Sequence, residues 1–120
     1  MWVRKILIKG PQNTEMLEKA LIQALQPAKN KDSGESRPVL SGTPPDKPDT
    51  RMIAQPEDLL LCLNPAEAGA ESFKVSVQPY NLPDPMDQKR MVEIRPLEII
   101  EALRVSHSDW TLELGPVTEV

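Results

Sequence analysis

The residues best suited to chemistry in this sequence are a single cysteine and a single histidine. Cys62 is the only thiol and lies within the apolar run Leu59–Leu63, where a buried, protonated and unreactive thiol is expected. His107 is the only imidazole and occurs in the string Ser106-His107-Ser108-Asp109, which contains the residue types of a hydrolase triad. Triad side chains must converge in space, whereas near neighbours in a tight turn point apart. We therefore interpret the string as a polar turn and predict no catalytic residues.

Sites for metal ions and phosphates are equally weakly indicated. One cysteine and one histidine cannot hold a zinc ion, and Asp84 and Asp87 offer two carboxylates where calcium takes about six to eight oxygens. The five glycines are isolated, and none belongs to a phosphate-binding Gly-Lys-Ser/Thr loop. Glu98 and Glu101, three residues apart on a predicted helix, indicate a solvated face. We predict no metal and no cofactor.

Charge and composition argue against several classes of partner. The 120 residues carry a net charge of -4, and aromatic residues make up 3 % of the chain. Nucleic-acid binding depends on phosphate neutralisation and base stacking, so no nucleic-acid partner is expected. No apolar run approaches the about 20 residues of a membrane span, and the basic N-terminus has too short an apolar core for a signal peptide. We expect a small cytoplasmic protein with no membrane partner.

Apolar periodicity predicts most of the secondary structure. Helical spacing from Met16 to Leu25, after the N-cap pair Asn13-Thr14 and before Pro27, predicts the first helix. The unbroken apolar run Leu59–Leu63 predicts an interior strand that is covered on both faces. Alternating apolar residues predict further strands at 2–9, 73–77 and 110–114.

The second half of the chain is expected to hold one more helix. The segment Met91–Ile94 is interpreted as a short edge strand, and Pro96 suits the first turn of a helix. The buried face of that helix is predicted to consist of Leu97, Ile99, Ile100 and Leu103.

These elements predict a single domain over residues 1–120. Their order matches an α+β, ferredoxin-like βαββαβ two-layer sandwich, with both helices on one face of an antiparallel sheet. Residues 27–56 contain six prolines and few apolar groups, so we predict a long proline-rich, irregular insertion between helix 1 and strand 2.

The open face of such a sheet is the predicted interaction surface. Val3 and Leu7 on the first strand, with Leu60 and Cys62 on the apolar strand, are expected to point away from the helices. Monomers rarely expose a large apolar patch, so something should cover these residues. The candidates are a different protein, a second copy of the chain, or the insertion folded back over the sheet.

We therefore expect a non-enzymatic protein-interaction module, an accessory or structural subunit of a larger assembly. The alternative is a small-molecule-sensing regulatory domain, which rests on fold analogy alone. A third possibility is a cysteine-dependent enzyme that uses Cys62 and His107, which rapid alkylation of the folded protein at neutral pH would indicate.

The predicted interior strand can be tested with Leu61→Asp. An unpaired carboxylate in the centre of a covered strand costs several kcal/mol, comparable to the roughly 5–15 kcal/mol that stabilises a whole domain. We expect the variant to be unfolded or aggregated by circular dichroism and light scattering. A soluble variant with a native spectrum would show that the strand is not interior.

Overall fold

The structure is a computed structural model that describes residues 2–25, 39–43, 45, 50–65 and 72–119. Within these residues the chain is a small α+β domain with two helices and seven strands. In chain order the elements are β1 (Trp2–Lys9), α1 (Thr14–Leu25), β2 (Leu40–Gly42), β3 (Arg51–Gln55), β4 (Leu59–Pro65), β5 (Ser72–Pro79), α2 (Pro85–Ser106), β6 (Thr111–Leu114) and β7 (Thr118–Glu119).

The described strands form one antiparallel sheet. Their spatial order is β2-β3-β4-β5-β1-β6, and β7 pairs with the first residues of β1. In this register Ile6 lies opposite Val75, while Leu61 lies opposite both Val77 and Ile53. Because side chains alternate between the two faces of a strand, these apolar residues share one face of the sheet.

Both helices pack on that face and enclose the hydrophobic core. The helix α1 lies over β3 and β4, and α2 lies over β1 and β5. Leu59, Leu61 and Leu63 are completely inaccessible to solvent, and β4 has a neighbour on each side, so its predicted interior position in the sheet is confirmed. The predicted cover on both faces is not, because the helices pack on one face only and Cys62 on the other is partly exposed. The helices bury Leu17, Leu21, Leu25, Val92, Ile99 and Leu103 against the sheet.

Side-chain caps begin both helices. The carboxamide oxygen of Asn13 accepts a hydrogen bond of 2.8 Å from the Met16 N–H at the start of α1, as the N-cap prediction required. At the start of α2, Asp84 Oδ1 accepts a hydrogen bond of 2.8 Å from the Met86 N–H, and Pro85 takes a first-turn position where it loses no helical hydrogen bond.

A proline lies in the middle of α2. Pro96 has no N–H, so the carbonyl oxygen of Val92 lacks the donor that an uninterrupted helix would provide. The side chain of Arg4, on β1, reaches this point and donates from Nη1 to the carbonyls of Val92 at 3.4 Å and Glu93 at 3.3 Å. Its Nε also donates to the carbonyl of Gly115 at 2.8 Å. One guanidinium therefore joins β1, α2 and the end of β6.

A second arginine, Arg95 of α2, forms a buried polar cluster with the β3–β4 turn. Arg95 Nη2 donates to Gln55 Oε1 at 2.9 Å, and Arg95 Nε lies 3.1 Å from Asp58 Oδ2. The side chain of Gln55 is completely buried and also donates to the carbonyl of Leu25 at 3.4 Å. This cluster therefore connects the end of α1, the β3–β4 turn and α2.

The prediction of an irregular insertion over residues 27–56 is wrong for two segments, which are strands. Leu40–Gly42 and Arg51–Gln55 are strands β2 and β3, which extend the sheet beyond β4. The turn Gln55-Pro56-Glu57-Asp58 then connects β3 to β4, with a positive φ of 62° at Glu57. Residues 26–38, 44 and 46–49 lie outside the described residues. Pairing with β4, which no local pattern reveals, stabilises β3 as a strand.

The interpretation of residues 91–97 is also wrong. The segment Met91–Ile94 is helical rather than an edge strand, and Pro96 lies in the interior of α2 rather than in its first turn. Leu97, predicted to be buried, is exposed, whereas Ile99, Ile100 and Leu103 are buried as expected. The contact of the Val92 carbonyl with Arg4, 88 positions away along the chain, explains how the helix continues through Pro96.

The Arg4 contact can be tested with a double-mutant cycle. Arg4→Met leaves the Val92 carbonyl without a donor, so we expect it to lower the free energy of unfolding by about 1–3 kcal/mol. Pro96→Ala restores a helical N–H for that carbonyl, and the loss caused by Arg4→Met should then be smaller. Denaturant unfolding of the four proteins measures the coupling. Equal losses in both backgrounds would show that Arg4 does not compensate for Pro96.

Candidate interaction surface

The face of the sheet opposite the helices carries two rows of apolar side chains on β2, β3 and β4. In one row Leu40, Ala54 and Leu60 lie opposite one another, and in the next row Met52 lies opposite Cys62. We call the sheet face on which neither helix packs the free sheet face, and we call these five residues its apolar half. Because they belong to three neighbouring strands in register, they form one continuous apolar area.

The other half of the free sheet face is polar. Moving from β4 onto β5, the row of Leu60 continues to Gln78, and the row of Cys62 continues to Ser76 and then to Lys5 of β1. A third row places Leu7 of β1 between two charged residues, Lys74 of β5 and Glu113 of β6. In this row an apolar side chain therefore lies between opposite charges.

The four residues predicted to form the interaction surface do not form one patch. Leu60 and Cys62 lie in the apolar half, whereas Leu7 lies in the polar half, in a depression of about 230 Å3 beside Lys74 and Glu113. Val3 lines a separate depression of about 270 Å3 at the pairing of β1 with β7. The strand β5 separates β4 from β1, and its polar residues divide the predicted surface.

Exposure also differs among the residues of the apolar half. Leu60 is only 8 % exposed, so it offers little area to a partner. Leu40, on the edge strand β2, is 55 % exposed, and Met52, Ala54 and Cys62 are intermediate. Leu40, Met52 and Ala54 are absent from the predicted surface, because β2 and β3 lie within the predicted irregular insertion. The three consecutive apolar residues Met52, Ile53 and Ala54, a run typical of a short strand, are the signal that could have found β3.

An ion pair joins β3 to α1. Glu18 accepts hydrogen bonds from Arg51 Nε at 2.7 Å and Nη2 at 2.9 Å, and Arg51 Nη1 also donates to Thr43 Oγ1 at 2.6 Å. The hydrogen bonds from Arg51 lower the pKa of the Glu18 carboxyl from its ordinary value of 4.5. The pair thus joins α1 to β3 on the side opposite the apolar half.

Cys62 and His107 lie on different sides of the sheet. Cys62 belongs to the free sheet face, whereas His107 ends α2 on the helix side and stacks on Trp110 with ring centroids 3.9 Å apart. Trp110 packs in turn against Gly10, whose φ of 128° and lack of a side chain permit the approach. The imidazole therefore belongs to a packed corner of the core, and no joint site with Cys62 is formed.

The described residues contain neither a metal-binding cluster nor a membrane-spanning helix. No group of three or more His, Cys, Asp or Glu side chains is placed to hold a metal ion in the part of the chain that the structure describes. Over the same residues, neither helix has the length and apolar character needed to cross a membrane.

The Glu18–Arg51 pair predicts a pH dependence of stability. Because the pKa of Glu18 is lowered on folding, its contribution is present above the ordinary pKa and is lost as the pH falls through the folded value. We expect Glu18→Gln to reduce the free energy of unfolding at pH 7, with a difference from the original chain that disappears in acid. Denaturant unfolding across pH measures this. A difference that persists unchanged in acid would contradict the assignment.

Known proteins do not identify this surface. Comparison of the chain with protein-family models, with curated proteins and with solved structures gave no match. Its function must therefore be inferred from the contacts, burial and charge of its own residues.

Proposed function

We propose that this chain is a non-enzymatic protein-interaction module, an accessory or structural subunit of a larger assembly, that binds a protein partner through its free sheet face. The observation that carries the proposal is the apolar half of that face, a continuous area on three neighbouring strands. Its most exposed member, Leu40, is more than half accessible on an edge strand. A partly exposed apolar area with a polar border is typical of protein-binding surfaces.

The polar half supports the same proposal as the border of the interface. Gln78 and Ser76 adjoin the apolar half directly, and beyond them lie Lys5 and Lys74. An apolar centre with polar residues at its edge follows the usual anatomy of a protein interface, in which the edge fixes orientation and specificity. We therefore expect the partner to present an apolar centre opposite Leu40 and Met52.

The non-enzymatic part of the proposal is supported by the positions of the two candidate catalytic residues. A cysteine-dependent enzyme needs its thiol and imidazole within hydrogen-bonding reach. Cys62 belongs to the free sheet face, and His107 is stacked on Trp110 at the end of α2. As part of the same proposal we expect the module to act in the cytoplasm, as the composition predicts.

We also propose that the fold is an extended ferredoxin-like sandwich. The spatial order β6-β1-β5-β4, with all neighbours antiparallel and both helices on one face, supports this reading. In this proposal β2 and β3 are an addition at one edge of the sheet, and that addition supplies three of the five apolar residues.

The proposed surface can be tested with Leu40→Lys. Transferring a leucine side chain from water into an interface is worth about 1.5–3 kcal/mol, and an ammonium group there costs more, so partner affinity should fall at least about tenfold. Affinity capture from an extract of the native host with quantitative mass spectrometry identifies partners, and titration of the purified partner measures the loss. The matched control is Met16→Lys, which places the same charge on an exposed apolar position of α1.

Three outcomes would contradict the proposal. Equal loss of the partner with Leu40→Lys and Met16→Lys would place the interaction elsewhere. A strong rise in Tm with a single metabolite, without any captured protein, would favour the small-molecule-sensing alternative. A dimer of the purified chain that Leu40→Lys dissociates would show that a second copy, rather than a different protein, covers the free sheet face.

A further inference from the structure

The outward face of α2 carries a second apolar surface. Met86 is 77 % exposed, Ile94 48 %, Leu97 53 % and Val105 82 %, and all four point away from the core. Together with Arg90 and Glu101 they follow one another at intervals of three or four residues, which places them on one side of the helix. We call these six residues the outer stripe of α2.

The two charged members of the outer stripe have no ion-pair partner within the described part of the chain. Four other charged residues of α2 do form ion pairs within the helix, since Lys89 Nζ lies 4.0 Å from Glu93 and Arg95 Nη1 lies 3.5 Å from Glu98. Arg90 and Glu101 form no such contact among the described residues. The stripe therefore offers an apolar centre, Ile94 and Leu97, between one unpaired cation and one unpaired anion.

We propose that the outer stripe binds the same stripe of a second copy of this chain, as an antiparallel helix pair about a two-fold axis. With the axis between positions 95 and 96, Ile94 of each copy lies opposite Leu97 of the other. Arg90 then lies opposite Glu101 of the second copy. The two-fold axis repeats this contact, so the dimer contains two Arg90–Glu101 ion pairs between the copies. The spacing of these four residues is the four-three-four repeat by which paired helices keep one seam in contact.

The same axis also matches the residues toward the ends of the helix. Met86 lies opposite Val105 of the second copy, which extends the apolar contact on both sides of the charge pairs. Asp87 lies opposite Arg104, and both are exposed. The one like-charge match brings Glu93 near Glu98, but each already has a cation partner in its own chain.

The self-complementary pattern is the reason for choosing a second copy over a different protein. A parallel pair in register would bring Arg90 against Arg90 and Glu101 against Glu101, which is repulsive at both ends. The antiparallel pair converts both repulsions into attractions without changing any residue. This proposal goes beyond the proposed function and does not depend on it, because the outer stripe and the free sheet face belong to different layers of the domain.

Charge reversal gives the test. We expect sedimentation equilibrium of the full chain to show a monomer–dimer equilibrium at micromolar concentrations. Arg90→Glu and Glu101→Arg should each weaken the dimer at least about tenfold, because each places two like-charge contacts in the interface. The double variant Arg90→Glu/Glu101→Arg exchanges the charges and should restore the dimer. Leu97→Lys should dissociate it.

The control is Lys19→Glu, a charge reversal at an exposed position of α1 that belongs to neither surface. Circular dichroism and Tm confirm that the variants remain folded, which is expected because all the substituted side chains are exposed. A chain that stays monomeric at high micromolar concentration would overturn the proposal. So would a dimer that survives Leu97→Lys, or a double variant no better than the single ones. Partner capture by the Leu40→Lys variant tests the proposed function separately, so either proposal can fail without the other.

Discussion

The carbonyl oxygen of Val92 lacks a helical donor because Pro96 follows four residues later, and the position of α2 on the sheet depends on how that oxygen is satisfied. An interior proline costs a helix about 3 kcal/mol, and a long helix with one would ordinarily end or bend there. Arg4 supplies the donor from β1, and it holds the end of β6 through Gly115 at the same time. The contact thus joins α2 to β1 and to the end of β6, on the side of the helix that buries Val92, Ile99 and Leu103 against the sheet.

The cluster around Arg95 joins α2 to the β3 end of the sheet, as the Arg4 contact joins α2 to β1. Gln55 and Asp58 belong to the β3 end of the sheet, which has no contact with Arg4, and both are buried with polar side chains. Burial of such groups is costly unless they are paired, and Arg95 pairs with both: it donates a hydrogen bond to Gln55 and forms an ion pair with Asp58. These two contacts favour one position of α2 relative to β3. Two neighbouring stretches of α2 therefore hold the two ends of one sheet.

The elements that could be predicted from sequence are those whose apolar pattern is complete within their own segment. The alternation from Trp2 to Lys9 and the helical spacing before Leu25 are complete within their own segments, and both elements were correctly predicted. The strand β3 was missed because Ile53 and Gln55 are ordered by pairing with β4 and by contacts from both helices, among flanking prolines that locally indicate a loop. The division of the free sheet face could not be predicted either, since it depends on β5 lying between β4 and β1.

The two-layer architecture separates the surfaces on which the two proposals rest. The sheet presents the apolar half on the side opposite the helices, and α2 presents its outer stripe on the side opposite the sheet. A helix-mediated pair of chains would therefore leave both free sheet faces accessible, directed away from the two-fold axis. Each copy could then hold one partner, and the two bound partners would be linked through a dimer that neither contacts directly. For an accessory subunit this gives a physical role, because linked sites raise the effective concentration of one partner near the other.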